Sequence, residues 1–498
     1  MINGFTHGFR LGCTSAPSSC VPQNHKSTLD HPDIIEDYIQ TGLNKGRIAG
    51  PFSNKPFEQF VVSPLGLVPK GSTGKFRVIH DLSFPKNQSV NSNIPRENSA
   101  VQYDSIDQVV DLVQKFGREC LMAKTDIEDA FRIIPIHPAD YYLLGFTWEG
   151  QYYYDKCLPM GASSSCQIFE SFSSALQWVM ENVFNASGMS HILDDFFFVG
   201  PPNSITCRND LASFLFLCKK IGVPIKMEKT QAPTTNIVIY GIEVDSVKME
   251  CRLPVDKIQK IKDKLNLFKR CKKVTLKEMQ SIIGLLNFAC SVVVPGRTFL
   301  RRLINLTCGL SNPKFYIRLN KDSRADLETW ATFIDHFNGK SVFLDRVWVS
   351  SDHLSLYTDA SGSMGFSAVL GSDWFAREWP LELEDYQICI KELFPIVLAL
   401  ELWSCHFQNK KVLFLSDNMA VVEVLNKKSC RDKALMKLLR RLVLVSLRFN
   451  IHFRAKHIPG KLNVTADRLS RFKFQEAFQE TPHLHRQQTK IPVDLLYI

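Results

Sequence analysis

SHILDDFFFVG, residues 190–200, places two adjacent carboxylates, Asp194 and Asp195, inside an otherwise apolar run. Ile192 and Leu193 precede the pair and Phe196 to Val199 follow it, a length and aromatic content that predict strand–turn–strand in a buried sheet. A buried carboxylate without a partner is costly, and two side by side are costlier. The stretch CLMAKTD upstream ends an apolar strand at Asp126. If the two strands are neighbours in one sheet, Asp126 and the Asp194–Asp195 turn converge on one point. Clustered carboxylates need a cation, and hard divalent ions take oxygen ligands; Mg²⁺ favours a few carboxylates plus phosphate oxygens. Two such ions about 4 Å apart stabilise both the attacking and the leaving oxygen of an in-line phosphoryl displacement. The expectation is a metal site for nucleotidyl transfer, with Mg²⁺ as two ions and Mn²⁺ as a substitute. The plainer alternative is a solvated turn.

The bulk of the chain agrees with a large intracellular protein. Its 498 residues leave room for about three domains. No apolar run approaches membrane-spanning length, so no membrane partner is expected, and the N-terminus lacks the pattern of a secretory signal. Fourteen cysteines are scattered singly, without a CxxC pair, which predicts reduced thiols rather than a disulfide framework or zinc site. The net charge of +10 favours a polyanionic partner. Nothing decides between cytoplasm and nucleus.

Residues 1–48 form an N-terminal extension. From 49 to 245 short strand-like runs alternate with helices, including the hairpin around PKGSTGKFR, where Lys70, Lys75 and Arg77 form a basic tip suited to a triphosphate. The helix over SSSCQIFESFSSALQWVMENVF shows an apolar stripe of Ile168, Phe172, Ala175, Leu176 and Val179. Gly161 and small residues at its entrance leave room for a base pair or sugar. Residues 246–350 are helical and rich in lysine, 351–473 return to an α/β pattern, and 474–498 are a polar tail expected to fray.

The blocks SPLGLVPK, KFRVIHDLS, KTDIEDAF, LPMGASSSCQIFE, ILDDFFFVG, IGVPIKMEKT and IVIYGIEV occur in an order that resembles reverse transcriptases. The resemblance implies a right-hand polymerase, with fingers and palm over 49–245 and a thumb and connection over 246–350. Asp126, Asp194 and Asp195 would be the palm carboxylates, Asp126 and Asp194 the more direct metal ligands. Lys70 and Arg77 would contact the incoming deoxynucleoside triphosphate, and Asp129 and Ala130 would lie under it. Phe131 would be the steric gate against a ribose 2′-hydroxyl, Met160 and Gly161 would face the nascent base pair, and Tyr240 and Gly241 would grip the primer end. Ile192 departs from the usual aromatic two positions before Asp194, which puts primer positioning in question rather than the chemistry.

A second set of acids follows. Asp359 ends a strand in YTDAS, Glu392 lies beside an apolar helix face in CIKELFPIVLALELW, Asp417 ends a strand in VLFLSDN, and Asp467 opens a helix in NVTADRLSR. Four acids on strand–helix–strand–helix again suit two Mg²⁺ ions, here activating water against a phosphodiester. The order resembles ribonuclease H, which implies a mixed five-stranded sheet, a role for His457 in product release, a backbone contact for Asn418, and recognition of an RNA–DNA hybrid through its minor groove. The fold class expected throughout is α/β. The implied partners are an RNA template, a DNA primer, their hybrid and deoxynucleoside triphosphates, with the basic helices gripping phosphates.

LPMGASSSCQIFE, GLLNFACSVVVPGRTFLRRL and HIPGKLNVTADRLSR further resemble DIRS-type (tyrosine-recombinase) retrotransposons, with gypsy-type and pararetroviral polymerases next. A separate tyrosine recombinase would then be a partner. The competing expectation is a degenerate or co-opted element that binds nucleic acid without catalysis.

Overall fold

Asp126 and Asp195 stand directly opposite each other in an antiparallel ladder, and the first half of the chain is built around that pairing. The computed structural model describes all residues except 1, 16, 18–19, 71–73, 338–339, 344–348, 351–352, 355, 429, 431 and 460–462, and the side chains of all described residues except 294–295 and 336–337. It divides into two compact units, Met1–Tyr240 and Gly241–Ile498.

In the first unit a four-stranded sheet runs in the order Met189–Ile192, Asp195–Gly200, Leu121–Asp126, Gln231–Thr234, every neighbour antiparallel. Phe196, Phe197, Phe198 and Val199 are wholly buried, which is why this strand reads as a continuous apolar run rather than an alternating one. The helices Ile106–Phe116, Ser165–Asn182 and Thr206–Ile221 pack on the sheet. A second core lies under the hairpin Leu65–Pro69/Phe76–His80, where Leu65 and Leu67 meet Ile35, Ile39, Phe146 and Trp148.

The N-terminal extension is part of this unit's core. Leu11 is fully buried, and Asp140 receives Arg10 Nε at 2.8 Å and the Leu11 N–H at 2.7 Å. A buried carboxylate thus anchors a segment whose own pattern is featureless.

The second unit begins with antiparallel strands Ile242–Asp245 and Glu250–Arg252 and the helices Val255–Arg270, Leu276–Ala289 and Lys321–Phe337. Ile261, Leu265 and Phe268 form the buried stripe of the first helix, and Lys260 and Lys269 are exposed. Beyond it, Leu356–Ala360, Gly365–Leu370 and Asp373–Glu378 form an antiparallel trio, and Val349–Ser350, Lys411–Ser416 and His452–His457 a parallel one. Six strands are therefore present where five were expected, with both directions of pairing. Among the described residues their ladders close as two groups, and helix Ile388–Leu402 packs on the first two strands of the trio and on helices Met419–Lys427 and Lys433–Arg448.

The tail is packed rather than frayed. Trp374 Nε1 donates to the His485 carbonyl at 2.7 Å, the Thr489 N–H donates to Trp374 O at 2.7 Å, and Leu484 and Ile491 are buried. Backbone groups along strand Asp373–Glu378 supply the partners that the tail's polar sequence conceals.

Candidate active sites

Ile192 pairs with Asp195, so Leu193 and Asp194 alone form the turn between the two strands. Leu193 has φ of +53°, a left-handed conformation that costs a non-glycine residue about 1–3 kcal/mol. Its surroundings hold it there. The Leu193 N–H donates to Glu170 Oε2 at 2.9 Å, its carbonyl accepts from Ser173 Oγ at 2.7 Å, and the Asp194 carbonyl accepts from the Ile127 N–H at 3.1 Å. Both Glu170 and Ser173 come from helix Ser165–Asn182, whose buried stripe is Ser165, Phe169, Glu170, Phe172, Ser173, Leu176 and Met180. Only Phe172 and Leu176 of the expected stripe lie within it. The helix is turned so that two polar residues face inward and serve the turn.

Like charges directly opposite one another destabilise a sheet. Here burial, then Asp194 and Asp126, push the Asp195 carboxyl up to about 6. Burial and Asp126 also raise Asp194, against the opposing charges of Lys229 and Arg77. Asp126 is only 5% exposed, and Lys229 Nζ lies 2.6 Å from its Oδ2. Burial would lower the Lys229 ammonium, but the hydrogen bond to Asp126 and the nearby acids outweigh it and hold it above its ordinary value. Lys229 was not singled out from the sequence, although it lies inside IGVPIKMEKT. An open cleft of about 380 Å³ lined by Lys124, Asp126, Asp195, Lys229 and Gln231 fronts these groups.

Among the described residues no three His, Cys, Asp or Glu side chains stand close enough to hold a metal ion as they are. In this cluster one oxygen of Asp126 is already given to Lys229. The donors are nonetheless all hard oxygens, which fits a divalent ion of the Mg²⁺ type, and a cation arriving there would relieve the repulsion that raises Asp194 and Asp195.

The other expected residues fall as follows. Lys70, Lys75 and Arg77 are exposed on the hairpin, whose strands are closed by the Lys70 N–H donating to Lys75 O at 2.7 Å; tip residues 71–73 lie outside the described residues. Asp129 is engaged by Arg47 at 2.7 Å and Lys45 at 3.0 Å, and these contacts outweigh burial and lower its carboxyl. Ala130 is buried, and the Phe131 ring lies 5.1 Å from that of Phe169. Met160 is 51% exposed. Gly161 abuts the His80 carbonyl so closely that a Cβ would come within 3.0 Å of backbone oxygen, and Asn91 fixes the loop through Gly161 O and Ser163 N. Close packing on the protein's own backbone therefore already requires the glycine. Tyr240, at φ +50°, ends the first unit with its hydroxyl 2.9 Å from Ser190 Oγ, which in turn donates to Asp104 at 2.7 Å; Gly241, at φ +76°, begins the second unit.

In the second unit Asp359 and Glu392 feel the neighbouring acids. Burial raises Asp359, and Asp467 and Asp417 add to it, despite a 2.5 Å hydrogen bond from Ser470. Burial and the charges of Asp359 and Asp417 push Glu392 up to about 8. Asp467 Oδ1 accepts from Arg471 Nε at 2.8 Å. His457 Nε2 lies 3.1 Å from the Asp417 carbonyl oxygen, which ties its ring to the strand end carrying an acid. Asn418 caps helix Met419–Lys427, accepting from Ala420 and Val421 N–H groups. Two supports escaped the sequence reading: Ser470, and the buried Lys391, whose Nζ donates to the carbonyls of Gly362 and Glu384 at 2.6 Å.

Residues 68–249, a segment that contains Asp126, Asp194 and Asp195, match the family model of the reverse transcriptase (RNA-dependent DNA polymerase). The chain is 24% identical over 325 residues to the Gag-Pro-Pol polyprotein of Mason-Pfizer monkey virus, covering 62% of this chain and 16% of that protein. It is 24% identical over 299 residues to the Pro-Pol polyprotein of Simian foamy virus type 1, covering 60% and 23%. The chain thus spans less than a quarter of the length of these curated relatives. Among solved structures, the foamy viral protease-reverse transcriptase in complex with dsDNA superposes with a TM-score of 0.53 at 18% identity, covering 91% of this chain and 88% of that one. The same protein in complex with an RNA/DNA hybrid gives 0.52 at 18% identity, covering 91% and 57%. The shared fold is that of a polymerase, α/β with mixed sheets.

Proposed function

We propose that the chain is an RNA- and DNA-directed DNA polymerase that also cuts the RNA strand of RNA–DNA hybrids. The observation that carries the first half is the meeting of Asp126, Asp194 and Asp195 at one sheet end, inside the segment that matches the reverse transcriptase model. The second half rests on Asp359 and Glu392, the first raised by the nearness of Asp467 and Asp417 and the second by that of Asp359 and Asp417, beyond what burial does to each.

Each acid cluster would hold Mg²⁺, which supplies charge stabilisation at the attacking and leaving oxygens and, in the second site, an activated water. The chain's own part is positional. Asp126 exchanges Lys229 for the incoming charge, and the pinned turn aims Asp194. The exposed cations Lys70, Lys75 and Arg77 suit the triphosphate of a deoxynucleotide, and Phe131, fixed against Phe169, suits a limit on the sugar's 2′ position. The partners would be an RNA template and a DNA primer, in keeping with the nucleic-acid complexes of the foamy viral neighbours. The spelling of LPMGASSSCQIFE and HIPGKLNVTADRLSR favours a DIRS-type element, with a tyrosine recombinase as a separate partner.

Replacing Asp194 and Asp195 together by alanine tests the polymerase. Nucleotide incorporation should disappear while primer–template binding persists. A wild-type protein that binds the hybrid but neither extends nor cuts would instead be a nucleic-acid-binding element.

A further inference from the structure

Glu170 is 8% exposed, and nothing in the polymerase reading uses it. A buried carboxylate on a helix otherwise lined by Phe169, Phe172, Leu176 and Met180 is expensive unless its oxygens are used. Both are. Oε2 accepts the Leu193 N–H at 2.9 Å, and Oε1 lies 3.3 Å from His191 Nε2. His191 is oriented in turn by Gln177 Oε1, 2.5 Å from its Nδ1. One turn along the helix, Ser173 donates to the Leu193 carbonyl at 2.7 Å.

Both backbone polar groups of one strained residue are thus gripped from the same helix. Leu193 has no local reason to sit at φ +53°, where glycine or asparagine would be at ease. With Leu193 fixed at both its N–H and its carbonyl, the next Cα–Cβ bond, that of Asp194, has its direction set.

We propose that Glu170, with Ser173, is a positioning residue that holds the Leu193–Asp194 turn in its left-handed conformation and so aims Asp194 at the reacting phosphate. It touches neither substrate nor metal. The inference rests on the polymerase reading for its functional consequence, but its structural claim stands apart.

The test pairs steady-state incorporation with hydrogen exchange on the full chain. Glu170→Ala should lower kcat for nucleotide addition about 100-fold, the scale of an ångström-level misplacement, with the nucleotide KM and primer–template affinity changed by less than about threefold. Deuterium uptake of peptides covering 189–200 should rise, while that of Leu65–Pro69 and the second unit stays at wild-type levels. Glu170→Gln, whose amide oxygen still accepts the Leu193 N–H, should recover most of kcat and the protection. Ser173→Ala should act in the same direction and more weakly.

Wild-type kcat and wild-type exchange in Glu170→Ala would overturn the proposal. So would Glu170→Gln as impaired as Glu170→Ala, since charge rather than the turn's hydrogen bond would then be what matters. If wild-type protein incorporates nothing, the polymerase reading fails, and the exchange of 189–200 still decides whether Glu170 holds the turn.

Discussion

Glu392→Gln should stabilise the second unit at alkaline pH and leave it unchanged in acid. Burial beside Asp359 and Asp417 raises this carboxyl from 4.5 to about 8, so the folded chain holds the proton where the unfolded chain has released it. Stability is therefore unaffected below about pH 4.5, falls as pH rises through the interval up to about 8, and is lowest above it. At about 1.4 kcal/mol per pKa unit the penalty is at most about 5 kcal/mol. Water reaching the site and relaxation around the charge bring it to about 2–3 kcal/mol. Glutamine carries no charge to bury. With a chelator present, thermal unfolding of the second unit at pH 9 should come about 5–10 °C later in the variant than in wild type, and at pH 5 the two should coincide. Saturating Mg²⁺ at pH 9 should close the gap by stabilising only the wild type. Equal melting at pH 9, or a gap of the same size at pH 5, would refute the convergence of Asp359 and Asp417 on a buried Glu392.

Three further outcomes follow from named contacts. Gly161→Ala should cost about 2–3 kcal/mol in a urea melt and impair primer extension, because the added Cβ meets the His80 backbone carbonyl and not a side chain able to swing away. Lys229→Met should destabilise the metal-free first unit by about 2 kcal/mol, since the nearly buried Asp126 loses its cation, and Mg²⁺ should restore most of the loss in a thermal scan. Asp140→Ala should release the N-terminal segment by removing the acceptor of Arg10 and Leu11, read as faster limited proteolysis within residues 2–12.

What was legible in the sequence was whatever depends on local pattern. The run from Phe196 to Val199 and the strand ending at Asp126 declare buried strands, and the two aspartates between Leu193 and Phe196 declare the turn. The order of the acids at 359, 392, 417 and 467 declares two strand ends and two helices. Four features were hidden, each fixed by a partner far away in the chain. Helix Ser165–Asn182 turns Glu170 and Ser173 inward, against its apolar period, to satisfy a turn some twenty residues on. Asp129 lies with Lys45 and Arg47, and Arg10 with Asp140, across separations no pattern reveals. The tail from 474 looks polar because strand Asp373–Glu378 and Arg441 satisfy its backbone, the latter by donating to Leu495 O at 2.8 Å. Gly161 invited a functional reading, whereas the nearness of His80 O suffices to explain it.

Extension of an end-labelled DNA primer on a labelled RNA template, in Mg²⁺ and with both strands followed, tests the central claim most directly. Wild type should lengthen the primer and shorten the template. Asp126→Asn should abolish only the lengthening, and Asp359→Asn only the cutting of a preformed hybrid. A wild-type protein that binds the hybrid and does neither, or an Asp126→Asn variant that still extends the primer, would contradict the account.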